Sequence, residues 1–564
     1  MSATPVGRVI GTDAAFALEF WVWVDPDRYL QLDDVVTVEF EVPGGERVAV
    51  HGIVDQVRSR YEGARFDSDA DLAAKQLLPV DIANAAHVTV TRVEPEIFVA
   101  PFPGQAVYKS EGVQREKALY FDKMLADGTS FVAGLSRDGQ PIYGNLEFLD
   151  GTRGAHMNIS GVSGVATKTS YALFLLYSLY GSRAFGTHAH TTKSIVFNVK
   201  GEDLMFLDKP NRKLDDAARA DYAKLKLKPG PFESVSIWSP TRKGVDEVIS
   251  SSNSRPSGTI PYCWSLREFC EQHMLGFLFA EGDNETSRLS SAVRAVERWL
   301  AYEAKPDNLG RVEIAGQTCA SFFELVDVLD MNMDKAAPAE TAGTQQAFMR
   351  RLHDTKHHVG HLIKPLKKEQ EAEYTIRILD ADGAGQNQQI NVIDINDLHD
   401  KAKRFVVGVV VKRLVEQKEG RSRPLVFLVL DELNKYAPRE GWSPIKEVIL
   451  DIAERGRSLG VILIGAQQTA SEIERRVTAN ASFRVAGRLD AAEASRGEYG
   501  FLTDAARARA SILKPGTMFV HQPEIPVPLL AQFPFPAWAT RRDEVADEPS
   551  ANGGGFLLNS LKKD

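Results

Sequence analysis

Six apolar residues in a row, Leu425 to Leu430, stand between Pro424 and the acidic pair Asp431-Glu432, and no other stretch limits the fold of this chain as strongly. A strand with one face in solvent alternates polar and apolar side chains, so an unbroken run of this length fits a strand buried on both faces. Helices packed on both sides of a mostly parallel sheet provide that cover, which makes the chain an α/β protein. In open α/β sheets, ligands bind beyond the carboxyl ends of the strands, and Asp431 and Glu432 then lie in that crevice. The other reading of the pair, the start of a surface turn, is weighed against a second motif.

That motif is HMNISGVSGVATKTS, residues 156–170, followed by the apolar stretch YALFLLYSLY. Apolar run, glycine loop and helix in this order form the layout of a P-loop. Backbone N–H groups of Gly161, Ser163, Gly164, Val165, Ala166 and Thr167 can converge on phosphate oxygens. Lys168 reaches the β- and γ-phosphates, and a hydroxyl of Thr169 or Ser170 meets Mg²⁺ at the positive end of the helix. The spelling is irregular: the pattern G-x-x-x-x-G-K-[ST] has its lysine one position nearer the first glycine, and Ala166-Thr167 stand where one glycine belongs. Alone, the loop is also compatible with a chance Gly-Ser turn. With the acidic strand downstream, the two motifs support each other: Asp431 would hold Mg²⁺ through water, and Glu432 would polarise the attacking water.

A chain of 564 residues has room for roughly three to four domains. Cys263, Cys270 and Cys319 lack any C-x-x-C spacing, so neither a disulfide framework nor a zinc ribbon is indicated. No stretch has the order of a signal peptide and no apolar run nears the roughly 18 residues of a membrane helix, so a cytoplasmic protein without membrane contact is expected. The net charge of −9 means that any nucleic-acid contact must be local, such as a basic lining inside a ring.

Residues 1–105 read as a small β-barrel, with VVTVEFEV and RVAVHGIVDQV as partner strands around Pro43-Gly44-Gly45 and IFVAPFPGQ as the linker out of it. Residues 106–204 begin the nucleotide domain: PIYGNLEFLD is a strand toward the phosphate loop, and SIVFNVKG follows the helix. Lys168 and Asp431 are separated by far more than the roughly 30 residues of one crossover, so residues 205–385 read as a mainly helical insertion. Within it His353, His357 and His361 recur at helical spacing. Two of them could bind a metal, although the glutamate of H-E-x-x-H is missing and the basic neighbourhood equally fits a solvated or polyanion-facing helix. Residues 386–540 complete the sheet. There, PIKEVILDIAERGRSLG is a helix stopped by Gly460, and VILIGAQQ ends in Gln467, which either faces the γ-phosphate or caps a loop. Residues 541–564 form a flexible tail.

With its N-terminal barrel, the HMNISGVSGVATKTS loop, NVKGED, LVLDELN, IAERGRSLGVILIGAQQ and the late FPFPAWATR in this order, the chain resembles the HerA family of ring-forming ATPases, within the group that includes the FtsK translocases. The resemblance implies a RecA-like P-loop NTPase core, a ring of six subunits around double-stranded DNA, and ATP and Mg²⁺ as ligands. It also implies an effector partner, a nuclease or a sirtuin-like NADase, in anti-phage defence. By position, Lys168 takes the phosphates, Thr169 and Asp431 the Mg²⁺, Glu432 the water and Gln467 the γ-phosphate. Arg153 could act in cis, and Arg457 or Arg455 could reach a neighbour's nucleotide, with Arg484 and Arg488 as further candidates. A translocating motor, an ATPase scaffold that switches its effector, and a nucleotide binder without hydrolysis all remain open, though the intact Asp431-Glu432 pair argues against the last.

Overall fold

The computed structural model describes residues 4–64, 66–162, 168–201, 203–279, 287–379, 388–421 and 423–546. The chain divides into two compact units, one of Met1–Ala189 with Ile464–Phe533, the other of His190–Leu463 with Pro534–Asp564.

In the first unit six antiparallel strands close a barrel: β1 (Gly7–Val9), β2 (Glu19–Val24), β3 (Val35–Glu41), β4 (Arg47–Glu62), β5 (Asp81–Glu94) and β6 (Ala106–Lys109), joined in the order β1-β2-β5-β4-β3-β6. Closure leaves no unpaired sheet edge. Val22, Val36, Val38, Val50, Val88 and Val107 fill the interior. The prolines of IFVAPFPGQ do not lead the chain out of the barrel, because β6 follows them and pairs with both β1 and β3. β3 alternates cleanly only in its second half. Its start is buried on both faces, and a short helix, α1 (Gly112–Ala118), packs against it.

A histidine sits deep in this barrel. His51 is 1% exposed; its Nδ1 is 2.7 Å from Thr37 Oγ1, and its Nε2 is buried with no partner among the described residues. The next residue, Gly52, lies at a bulge so tight that a Cβ would come 2.7 Å from the carbonyl oxygen of Thr89. Burial pushes the imidazole from 6.5 down to about 4. Above pH 6.5 the ring is neutral in both folded and unfolded chains. Between 6.5 and about 4 the unfolded chain takes up a proton that the barrel refuses, so stability is lost as pH falls through that window, by on the order of 3 kcal/mol. Melting temperatures from pH 7.5 to 4.5 should therefore fall less steeply for His51→Gln than for the parent chain; parallel slopes would contradict this account.

The rest of the first unit places β9 (Met157–Ser160) between two parallel neighbours, Ile464–Gln467 and Phe483–Ala486. Beyond Phe483–Ala486 the order runs antiparallel through Thr517–His521, Leu529–Gln532, β7 (Ser130–Leu135) and β8 (Pro141–Asn145). PIYGN is thus a strand, but it ends the order and does not lead to the phosphate loop. That position belongs to β9.

In the second unit five parallel strands run in the order Ile260–Tyr262, Val235–Pro240, Ile390–Asp394, Lys193–Asn198, Val426–Asp431. Lys193–Asn198 and Ile390–Asp394 are buried at every residue, and Val426–Asp431 at all but Asp431, as the unbroken apolar run requires. Two of these strands come from the stretch read as a helical insertion: VSIWSP and IPY belong to the sheet. The helices there begin at Asp216–Lys224 and include Leu266–Glu271, Arg288–Glu303 and Ala342–Val359, held by ring contacts such as Phe279 on Phe348 at 4.7 Å. The three histidines do not converge. His353 pairs with Asp330, His357 packs on Phe323, and His361 lies in a separate 3-10 turn. The helix Pro444–Leu459 starts on a Ser443 cap with Pro444 at its first turn and stops at Gly460, φ +65°, the left-handed stop that glycine takes without strain.

Candidate nucleotide site

The phosphate-binding candidates in the first unit are held at the carboxyl end of β9. Gly161 N–H donates to the Gln467 carbonyl (3.2 Å), Val162 N–H to the Arg488 carbonyl (2.8 Å), and Gly487 N–H to the Ser160 carbonyl (2.8 Å). The chain leaving β9 is thereby laced to the ends of both parallel neighbours. A Cβ at Gly161 would stand 3.3 Å from the Arg488 carbonyl oxygen, which leaves little room for a larger residue. Ser163, Gly164, Val165, Ala166 and Thr167 lie outside the described residues.

Lys168 opens the helix α2 (Lys168–Gly181), is 5% exposed, and donates from Nζ to the Gly161 carbonyl at 3.0 Å. The irregular spacing therefore still returns the ammonium over the start of the loop, at the helix N-terminus where partial positive charge gathers. Thr169 and Ser170 occupy the first turn, half-buried. Gln467 is 1% exposed, and its Nε2 donates to Asn158 Oδ1 and, at 2.9 Å, to Ser160 Oγ. Its Oε1 is buried with no partner among the described residues, so a carbonyl oxygen is what this side chain keeps for a donor.

The acidic candidates in the second unit lie at the carboxyl end of the strand Val426–Asp431. Asp431 Oδ1 accepts from Glu432 N–H at 2.8 Å, and Glu432 takes a left-handed backbone, φ +55°. Non-glycine residues adopt that conformation at a cost of order 1 kcal/mol or more, and such residues cluster at functional sites. Two ammonium groups hold the Glu432 carboxylate: Lys200 contacts Oε1, and Lys435 lies 2.7 Å from Oε2. Burial alone would raise the Glu432 pKa, but the two lysines outweigh it and keep the carboxyl below its ordinary value. The carboxylate is thus the charged form that a water-polarising group needs.

Sequence reasoning assigned no role to Lys200, although it lies in the quoted NVKGED. Nor did it single out the clamp beside it. Asn198 Nδ2 donates to Asp394 Oδ1 and to the Gly201 carbonyl, both at 2.9 Å, while Gly201 N–H donates to Asn396 Oδ1 at 2.6 Å. These bonds fix the turn that carries Lys200. Asn198 and Asp394 are directly paired across parallel strands, a register that no local pattern reveals.

The arginine candidates differ in their surroundings. Arg153 is 48% exposed at its side chain, pairs with Glu147 and Glu524, each at 3.3 Å, and lies over the Phe148 ring. Arg455 is exposed and bound by Asp451 one turn back on its own helix. Arg457 is exposed on that same helix. Arg484 faces His521 across an antiparallel pair, and Arg488 Nε donates to the Ser511 carbonyl at 3.1 Å.

No family model matches the chain, and no curated protein does. Among solved structures it is similar to VirB4 of Thermoanaerobacter pseudethanolicus, at 16% identity and TM-score 0.43, over 72% of this chain and 97% of that one. It is also similar to the unbound form of the bacterial conjugative coupling protein TrwB, at 13% identity and TM-score 0.44, over 76% and 94%. The genome packaging NTPase B204 from Sulfolobus turreted icosahedral virus 2, in complex with ATP-gammaS, matches at 13% identity and TM-score 0.21, over 26% and 69%.

Proposed function

We propose that this chain is an ATP hydrolase of the HerA/FtsK kind, which assembles as a hexameric ring, acts on double-stranded DNA and works with an effector partner, a nuclease or a sirtuin-like NADase, in anti-phage defence. The observation that carries the reading is Lys168: a buried lysine at the first turn of a helix, folded back on the glycine that ends a central parallel strand. A lysine so placed has the position of a phosphate-binding ammonium.

On this reading Lys168 takes the β- and γ-phosphates of ATP, the side-chain amide of Gln467 faces the γ-phosphate, and Glu432 polarises the attacking water. Thr169 and Asp431 offer the hydroxyl and carboxylate oxygens that Mg²⁺ prefers, so the donor chemistry fits that ion. Bound Mg²⁺ supplies charge neutralisation at the β- and γ-phosphate oxygens. Glu432 is held ready by Lys200 and Lys435, and its position depends on the turn that Asn198 and Asp394 secure.

The test is ATP turnover of the purified chain with and without duplex DNA over a range of salt. Turnover should rise with DNA, and the DNA effect should fade steeply with salt as phosphate contacts release counterions. No turnover at saturating Mg-ATP would remove the enzyme reading. Turnover indifferent to DNA would leave a ring that organises and switches its partner. A chain that stays monomeric at micromolar concentration with nucleotide and partner would remove the motor.

A further inference from the structure

In the first unit, away from the nucleotide residues, a cleft of about 550 Å³, counted to its open mouth, lies where the barrel meets α1, the β7-β8 turn and the strand of Leu529. Its walls are mixed. Leu32, Val35, Ile53, Ile142 and Leu529 give an apolar lining, and Arg115, Arg137 and Asp138 bring charge.

The charges are unevenly paired. Asp33 is held by both terminal nitrogens of Arg509, at 2.7 and 2.8 Å, and Asp34 by Lys109 at 2.8 Å. Asp138 accepts from Ser136 Oγ in its own turn. Arg115, only 8% exposed, donates from Nη1 to the Pro141 carbonyl at 3.2 Å, and among the described residues no carboxylate comes within 4.0 Å of it. Burial pulls this guanidinium below its ordinary pKa, and the Asp138 carboxylate opposes that shift. Arg137 is exposed beside the same cleft and likewise has no carboxylate within that distance among the described residues.

Of the five N–H donors of Arg115 one meets the Pro141 carbonyl, the guanidinium also lies 5.8 Å from the Phe121 ring centroid, and the remaining donors keep their capacity to meet an anion. We infer that this cleft is a binding site for a small organic anion, with its carboxylate or phosphate head on Arg115 and its apolar body against the Leu32, Ile53 and Leu529 wall. An apolar lining with a few convergent polar groups is the usual form of small-molecule sites. One arginine suffices for the head group, because a single planar guanidinium can bind an oxyanion in bidentate fashion. Asp138 opposes the ligand's charge and limits affinity.

The experiment uses the full chain and four probes: octanoate, octyl phosphate, octanol and inorganic phosphate. Calorimetry and melting temperature are read for the parent chain, Arg115→Gln, Arg115→Lys and Asp138→Asn. The expected result is saturable binding of octanoate or octyl phosphate, at least tenfold weaker in Arg115→Gln, partly kept in Arg115→Lys and several-fold tighter in Asp138→Asn. Octanol and inorganic phosphate should bind far more weakly, because each supplies only half of the contacts. Which amphiphile binds better separates a carboxylate ligand from a phosphate ligand. Without probe, Arg115→Gln should melt no lower than the parent, since it removes a buried charge with no anion. Absence of saturable binding by both amphiphiles overturns the proposal, as does equal binding to Arg115→Gln. A large drop in its melting temperature without probe also overturns it, because that marks a structural arginine.

Discussion

Lys168→Ala is expected to lose nucleotide, whereas Glu432→Gln is expected to hold it and stop turning it over. Charge-assisted hydrogen bonds are worth about 1.5–3 kcal/mol each, so removing the ammonium that spans two phosphates should weaken ATP binding by roughly 10²-fold or more. Glu432 acts on water and not on the ligand, and loss of a positioned base costs about 10²–10⁴ in rate. Gln is the better replacement than Ala here, because it keeps the shape of the side chain beside Lys200 and Lys435 while removing the charge that both ammonium groups face. Calorimetry with a non-hydrolysable analogue, set beside steady-state turnover, separates the two effects. Equal loss of binding in both variants would sink the assignment of roles.

Removing the arginine that completes catalysis should be as severe for turnover and should spare binding. Fingers of this kind contribute about 10³–10⁵ in rate, because they meet charge that develops on the transferring phosphoryl group. Arg457 is the candidate we favour over Arg455. The two lie about 200° apart around the helix Pro444–Leu459, and Asp451 already holds Arg455 on that helix. Arg457→Ala subunits mixed with Glu432→Gln subunits give the decisive measurement. If Arg457 serves a neighbour, some interfaces in hybrid rings join an intact arginine to an intact glutamate, and partial turnover returns. If verified hybrids recover nothing while Arg457→Ala alone is inactive, the trans role fails and Arg484 or Arg488 takes its place.

The parts of the candidate site that the sequence made legible are those carried by local patterns. An apolar run of six defined the Val426–Asp431 strand, and the glycine-stopped helix Pro444–Leu459 could be read almost to the residue. What escaped depends on pairing between distant segments. VSIWSP is short and mixes serine with apolar residues, so only its place beside Ile390–Asp394 marks it as a sheet strand. IFVAPFPGQ has the composition of a linker, yet closure with β1 and β3 brings the next four residues back into the barrel. The position of Gln467 was readable, but the direction of its amide was not, because Asn158 and Ser160 hold it from a strand some three hundred positions away. The Lys200 contact with Glu432 and the Asn198-Asp394 bond are invisible for the same reason.

The parallel pairing of β9 with Ile464–Gln467 and Phe483–Ala486 also sets an order of events on the ribosome. All six barrel strands lie within the first 109 residues and share one core, so the barrel can form while the remainder is still being made. β9 cannot be completed so early. Its two partners emerge about 300 residues later, roughly 15–60 s at ordinary rates of synthesis, and until then both of its edges are open to wrong pairing. A nascent chain halted before Ile464 therefore carries a finished barrel and an unfinished phosphate strand, and only chains translated past Ala486 can bring Gly161 and Lys168 into place.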